Sequence, residues 1–210
     1  SGDPAAVAVG TATHVLTSNG AGAAPTFQAA GAGAWASIVT TDVTAVSEIT
    51  FTGFVPGTYS NYQFWLSDLA VDATVDIKLQ TSTDGGSSYD SGASDYTWGF
   101  GRVREGSADL GYDAADSEIQ LTGDANIYDW DSDNNSFYSC VLNIFTPEET
   151  RYTTFSWVAT WIGGGGTSDF NEGYFGGKRN ATSDVDAIRI FVGSGSFKAL
   201  GYIQMLGMAN

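Results

Sequence analysis

Apolar and polar residues alternate from Trp35 onward, turn residues recur between the alternating runs, and no segment carries a sustained helical stripe. These features predict an all-β fold: a two-sheet antiparallel sandwich of jelly-roll type, occupying residues 35–210 behind an extended N-terminal arm of residues 1–34. A chain of 210 residues with 42% hydrophobic and 13% aromatic content can bury one sizeable core, so a single main domain plus the arm is expected. The 27 glycines against 4 prolines, without a period of three, point to many tight turns and away from collagen.

The elements follow in order. Trp35 to Thr40 opens the domain as a strand. Ser47 to Thr52 places Ile49 and Phe51 on one face, and Thr74 to Gln80 does the same for Val75, Ile77 and Leu79. Between them, Tyr59 to Leu66 reads as a further strand entered from the Pro56-Gly57 turn. Later strands are expected at Tyr96 to Val103, Glu118 to Leu121, Phe137 to Phe145, Tyr152 to Ile162, Ala187 to Val192 and Leu200 to Leu206. Phe155, Trp157, Ala159 and Trp161 share one face and read as core. The one helix-like opening, Thr146-Pro147-Glu148-Glu149, runs at once into the β-branched pair Thr153-Thr154. Asp84-Gly85-Gly86, Asn134-Asn135, Gly163 to Gly166 and Gly193-Ser194-Gly195 supply the turns.

The arm is built from Ala, Gly, Thr and Ser, which bury too little apolar area to offset the roughly 1 to 2 kcal/mol per residue of backbone entropy lost on ordering. It is therefore expected to order against something else, with Val15, Leu16 and Phe27 as its apolar anchors. Its Gly10 to Gln28 stretch, GTATHVLTSNGAGAAPTFQ, resembles the G-T-A-x-x-V-L-T-S-N-G-A-G-A-x-P-T-[FW]-Q segment of tail-fibre and other appendage proteins of tailed bacteriophages. The strand-rich remainder, with Thr81-Ser82-Thr83-Asp84-Gly85-Gly86 and Val185-Asp186-Ala187-Ile188-Arg189-Ile190, is similar to the distal domain that follows this segment.

The resemblance implies a non-enzymatic structural protein of the virion, a fibre, spike or receptor-binding subunit. Its partners would be other virion proteins, reached through the arm, and itself as a homotrimer. The distal domain would bind host-surface glycan. A head fibre or capsid decoration protein is the close variant, and a secreted carbohydrate-binding module or small glycan hydrolase is the reading from another class.

Composition narrows the partners. A net charge of −16 with only 8 Lys and Arg argues against nucleic acid and anionic membrane surfaces. Cys140 stands alone, so neither an intrachain disulfide nor a cysteine-rich zinc site is available, and it reads as a small buried apolar residue. No apolar run approaches the ~20 residues of a membrane span. The single histidine, His14, lies in the arm, which leaves a serine nucleophile without a base on the domain scaffold.

Two constellations are candidate sites. Asp129, Asp131, Asp133 and Asn135 place oxygen ligands at every second residue, the alternation with which a loop wraps Ca2+. The loop lacks the EF-hand glycine, Asn134 standing in its place, and Cys140 stands where the bidentate Glu would be. Tyr96, Trp98, Tyr112 and Trp130 sit beside turns and acids, where ring faces could stack on sugar.

Overall fold

A computed structural model describes residues 12, 14–29, 34–55, 57–104, 107–123, 136–147, 150–162 and 170–209. Contacts divide the chain into two units, Ser1–Ala34 and Trp35–Asn210.

In the first unit the arm doubles back as a β-hairpin, β1 (His14–Thr17) against β2 (Thr26–Ala29), with Leu16 opposite Phe27 and Val15 opposite Gln28. Asn19 organises the connecting loop: its amide donates to the Ala24 carbonyl at 2.7 Å and to Thr26 Oγ1 at 3.1 Å, while its oxygen accepts from Gln28 at 3.2 Å. Gly20 and Gly22 take positive φ there. A two-stranded hairpin is marginal in water by itself, and this one leaves Val15 and Leu16 half exposed on its opposite faces.

The second unit is all strand among the described residues. Its elements are β3 (Trp35–Asp42), β4 (Glu48–Phe51), β5 (Tyr59–Leu69), β6 (Ile77–Ser82), β7 (Tyr96–Arg104), β8 (Ser107–Asp116), β9 (Ile119–Gln120), β10 (Tyr138–Phe145), β11 (Thr154–Ile162), β12 (Phe170–Arg179), β13 (Ala187–Val192) and β14 (Tyr202–Ala209). They form an eight-stranded antiparallel sheet, β3-β14-β5-β10-β11-β12-β7-β8, and a four-stranded one, β4-β13-β6-β9.

The pairing is nested: β3 with β14, β4 with β13, β5 with β10, β6 with β9. One long hairpin is thus rolled so that its successive pairs fall alternately in the two sheets, which is the jelly-roll scheme. The β7–β8 pair is inserted at the tip of that hairpin and the β11–β12 pair between β10 and β13, and all four strands extend the large sheet beyond β10.

Inward residues of the large sheet form a registered row, Met205, Phe64, Leu142, Trp157, Phe175 and Phe100, each directly opposite the next. All are buried. Trp157 stacks on Phe175 at 5.1 Å and 6°, and Phe175 meets Phe100 at 6.1 Å. Phe51, Ile77, Leu79, Ile119, Ile188 and Ile190 supply the small sheet's share of the core. Leu121, just after β9, offers its carbonyl to both Tyr138 Oη and Trp157 Nε1, at 2.9 Å each, which ties that end of the small sheet to β10 and β11.

The expected core face Phe155, Trp157, Ala159 and Trp161 is buried throughout. Two strands of this unit exceed expectation: Tyr112, expected beside a turn, lies inside β8, and Phe170 to Arg179 forms β12.

Candidate functional site

The predicted glycan aromatics separate. Tyr96 is fully buried on the inward face of β7; its hydroxyl accepts from the Thr81 N–H at 2.8 Å and donates to the Asp90 carbonyl at 3.2 Å. Burial pushes the phenol up to about 12. Asp90 also receives Arg179 Nε at 2.6 Å and Thr81 Oγ1 at 2.8 Å, so this cluster pins the start of β7 to β6 and β12. Trp98 is buried too, its indole N–H donating to Asp116 at 2.9 Å and its ring stacked with Phe100 at 6.2 Å. Neither ring offers a face to a sugar, because Tyr96, Trp98 and Phe100 share the inward parity of their strand. Tyr112 differs: it is 78% exposed on β8. Trp130 and the loop residues Asp129, Asp131, Asp133 and Asn135 lie outside the described residues.

The acid-rich turn after β6 is a closed structural unit. Asp84 accepts from the Ser88 hydroxyl at 2.6 Å, the Ser88 N–H at 2.8 Å and Ser82 Oγ at 2.8 Å, and these bonds hold its carboxyl down to about 2. Its oxygens are engaged within the turn itself.

Among the described residues of the second unit, none packs over the outward face of the eight-stranded sheet. Trp65, Val141, Val158, Tyr174 and Leu110 stand in one row across β5, β10, β11, β12 and β8, with Gly101 of β7 between the last two. Leu110 is 87% exposed, Tyr174 69% and Trp65 43%, and both valines are exposed as well. Five strand spacings of about 4.8 Å make the row about 24 Å long. Two shallow depressions lie along it, one between Trp65, Val141 and Val158, the other around Gly101, Tyr174 and Leu110.

The sequence places this face by parity alone, strand by strand. The Trp65 indole is fixed by donating to Gln63 Oε1 at 2.6 Å, and Gln63 in turn donates to Asn143 at 2.8 Å. Gly176, one residue pair further along, leaves the floor beside Tyr174 open, while the space over its partner Gly99 is taken up by Tyr112 Cβ and the Gly111 carbonyl, each 3.1 Å from where a Cβ would stand. Across β5, β10, β11, β12 and β7, the outward positions in register with this row and its neighbours carry charge only at Glu172, Lys178 and Asp68, the last in the β5 bulge opposite Ser139. Beneath the Leu110 end, the Arg102 guanidinium lies 4.9 Å over the Phe100 ring and grips Asp109 with two hydrogen bonds, 3.1 Å and 2.5 Å, which hold the carboxyl below its usual range.

The chemistry such a face offers a partner is apolar contact and shape. The face has a fixed Trp at one end, two stiff β-branched valines in the middle and two exposed tyrosines toward the other, and Trp and Tyr are among the residue types enriched at binding hot spots. No protein-family model matches the chain, and no curated protein or solved structure is significantly similar to it.

Proposed function

We propose that this chain is a non-enzymatic structural subunit of a tailed-bacteriophage virion, attached through its N-terminal unit and displaying the jelly-roll domain. The observation that carries the reading is the hairpin of β1 and β2. It holds His14 to Gln28 of the resembling segment and keeps Val15 and Leu16 half exposed on opposite faces, where a neighbouring chain would cover them. The domain then acts as a rigid carrier of its outward sheet face. A glycan-binding module is a second reading, favoured by the exposure of Tyr112 and of Tyr174, the latter beside the open floor at Gly176.

The deciding experiment deletes residues 1–34 in the phage-borne gene and labels particles with an antibody to the domain. The expected result is labelling of parental particles, no labelling of the deletion particles, and a deletion protein that still unfolds cooperatively. Unlabelled parental particles would end the virion reading. Deletion particles that keep their label would end the attachment role of the arm.

A further inference from the structure

We infer that the outward face of the eight-stranded sheet, along the row Trp65, Val141, Val158, Tyr174 and Leu110, is where a second copy of this chain docks. Charge favours this occupant. Each copy carries a net charge of −16, so two copies repel wherever acids meet. The surface that escapes this is one whose outward positions carry few acids, and across β5, β10, β11, β12 and β7 only Glu172, Lys178 and, at the far end of β5, Asp68 interrupt a neutral field.

The two free edges of the same sheet, β3 and β8, are the rival places for self-pairing; pairing at β3 would be indifferent to substitutions on the face, and the β8 edge is defended. β8 carries Asp109, Asp113 and Asp116, which a second copy of the same strand would confront with its own acids. The chemistry of the row also favours protein over sugar. Val141, Val158 and Leu110 are aliphatic, with no ring face to stack, and the two rings in the row, Trp65 and Tyr174, stand three strand spacings, about 14 Å, apart.

The fixed Trp65 indole, held by Gln63, loses little rotamer freedom on docking, which is what an interface anchor needs. Finally, most of the row lies on strands the nested scheme does not require. β7, β8, β11 and β12 are additions to the jelly roll, and they carry Leu110, Tyr112, Tyr174 and Val158.

The inference rests on the reading of the chain as an assembly subunit, but its test does not pass through the particle. Sedimentation velocity on the full chain, over a concentration series in 50 mM and 500 mM NaCl, is expected to show reversible self-association that strengthens with salt, because screening weakens repulsion between the like-charged copies. Val158→Asp and Leu110→Asp should each weaken association at least tenfold with an unchanged melting temperature. Ser47→Asp, adding the same charge beside the small sheet, should leave it intact.

A chain that stays monomeric at 100 µM in high salt overturns the inference, as does association indifferent to both face substitutions. So does a monomer whose tryptophan fluorescence saturates with a neutral oligosaccharide, which would assign the face to sugar. Loss of particle labelling with association preserved would instead fail the virion reading alone.

Discussion

The ring of Phe100 occupies the space that a side chain would need at Gly111, its direct cross-strand partner: a Cβ there would lie 2.5 Å from Phe100 Cε1 and 2.6 Å from Cζ. The buried row that starts at Met205 therefore ends with an aromatic ring laid over bare backbone. The same device recurs at Gly173, where a Cβ would fall 2.6 Å from the Phe175 ring.

Gly111→Ala is expected to destabilise the domain by about 1–3 kcal/mol, the usual cost of forcing volume into a filled site. Gly176→Ala, whose Cβ would meet only the Phe155 carbonyl at 3.8 Å, should stay within about 0.5 kcal/mol of the parent. Urea unfolding of both variants checks this, and equal losses would contradict the packing argument.

Tyr138 and Trp157 share one acceptor, the Leu121 carbonyl. Tyr138→Phe should cost about 0.5–1.5 kcal/mol, one net hydrogen bond, because the indole N–H still satisfies the carbonyl and the phenol's other partner, the Cys140 thiol, is only a weak hydrogen-bonding group. A loss well above that range in the same unfolding assay would mean the phenol holds more than this bond.

Cys140 is buried on the inward face of β10, and burial pushes its thiol up to about 12. The thiolate is the reactive form. A thiol reagent at pH 8 should therefore leave the native protein unmodified for as long as it stays folded and label it fully in denaturant; prompt labelling of the native state would place the thiol at the surface.

Asp109 is held below its usual range by Arg102. Its stabilisation is thus fully present above the unfolded carboxylate pKa, about 3.9, and is lost as pH falls toward and through the lower folded value. Asp109→Asn should shrink the acid-side loss of stability while lowering stability at pH 7, since it takes the carboxylate from a guanidinium that is only 3% exposed. Melting temperatures between pH 2.5 and 7 test the sign; a parallel offset at every pH would refute it.

The strands with clean period-two alternation were legible in the sequence, among them β4, β5, β10, β11 and β13. β8 and β12 were not, for one physical reason: glycine stands at inward positions such as 111, 173 and 177, where an apolar side chain would have announced a strand. The volume is supplied by rings from neighbouring positions, which a strand read alone does not reveal. Tyr96 and Trp98 carried the needed signal, since they share parity with Phe100, but proximity to a turn suggested exposure. The outward row was beyond reach for a different reason. Its members come from five separate strands, and only the order β5-β10-β11-β12-β7-β8 sets them side by side. Val15, Leu16 and Phe27 were identifiable as apolar points in the arm, whereas the hairpin that sets Leu16 against Phe27 depends on the Asn19 loop bonds.

Because β14 is hydrogen-bonded between β3 and β5, a strand from late in the domain fills the slot between two of its earliest, and Trp35 must wait for Met208. Until β14 arrives, β3 and β5 keep facing edges open, a state in which two partly folded chains can pair wrongly with each other. The pairing that closes this slot spans most of the domain's sequence, so loop closure weighs heavily on the folding rate. Without β14, β3 has no partner strand at all.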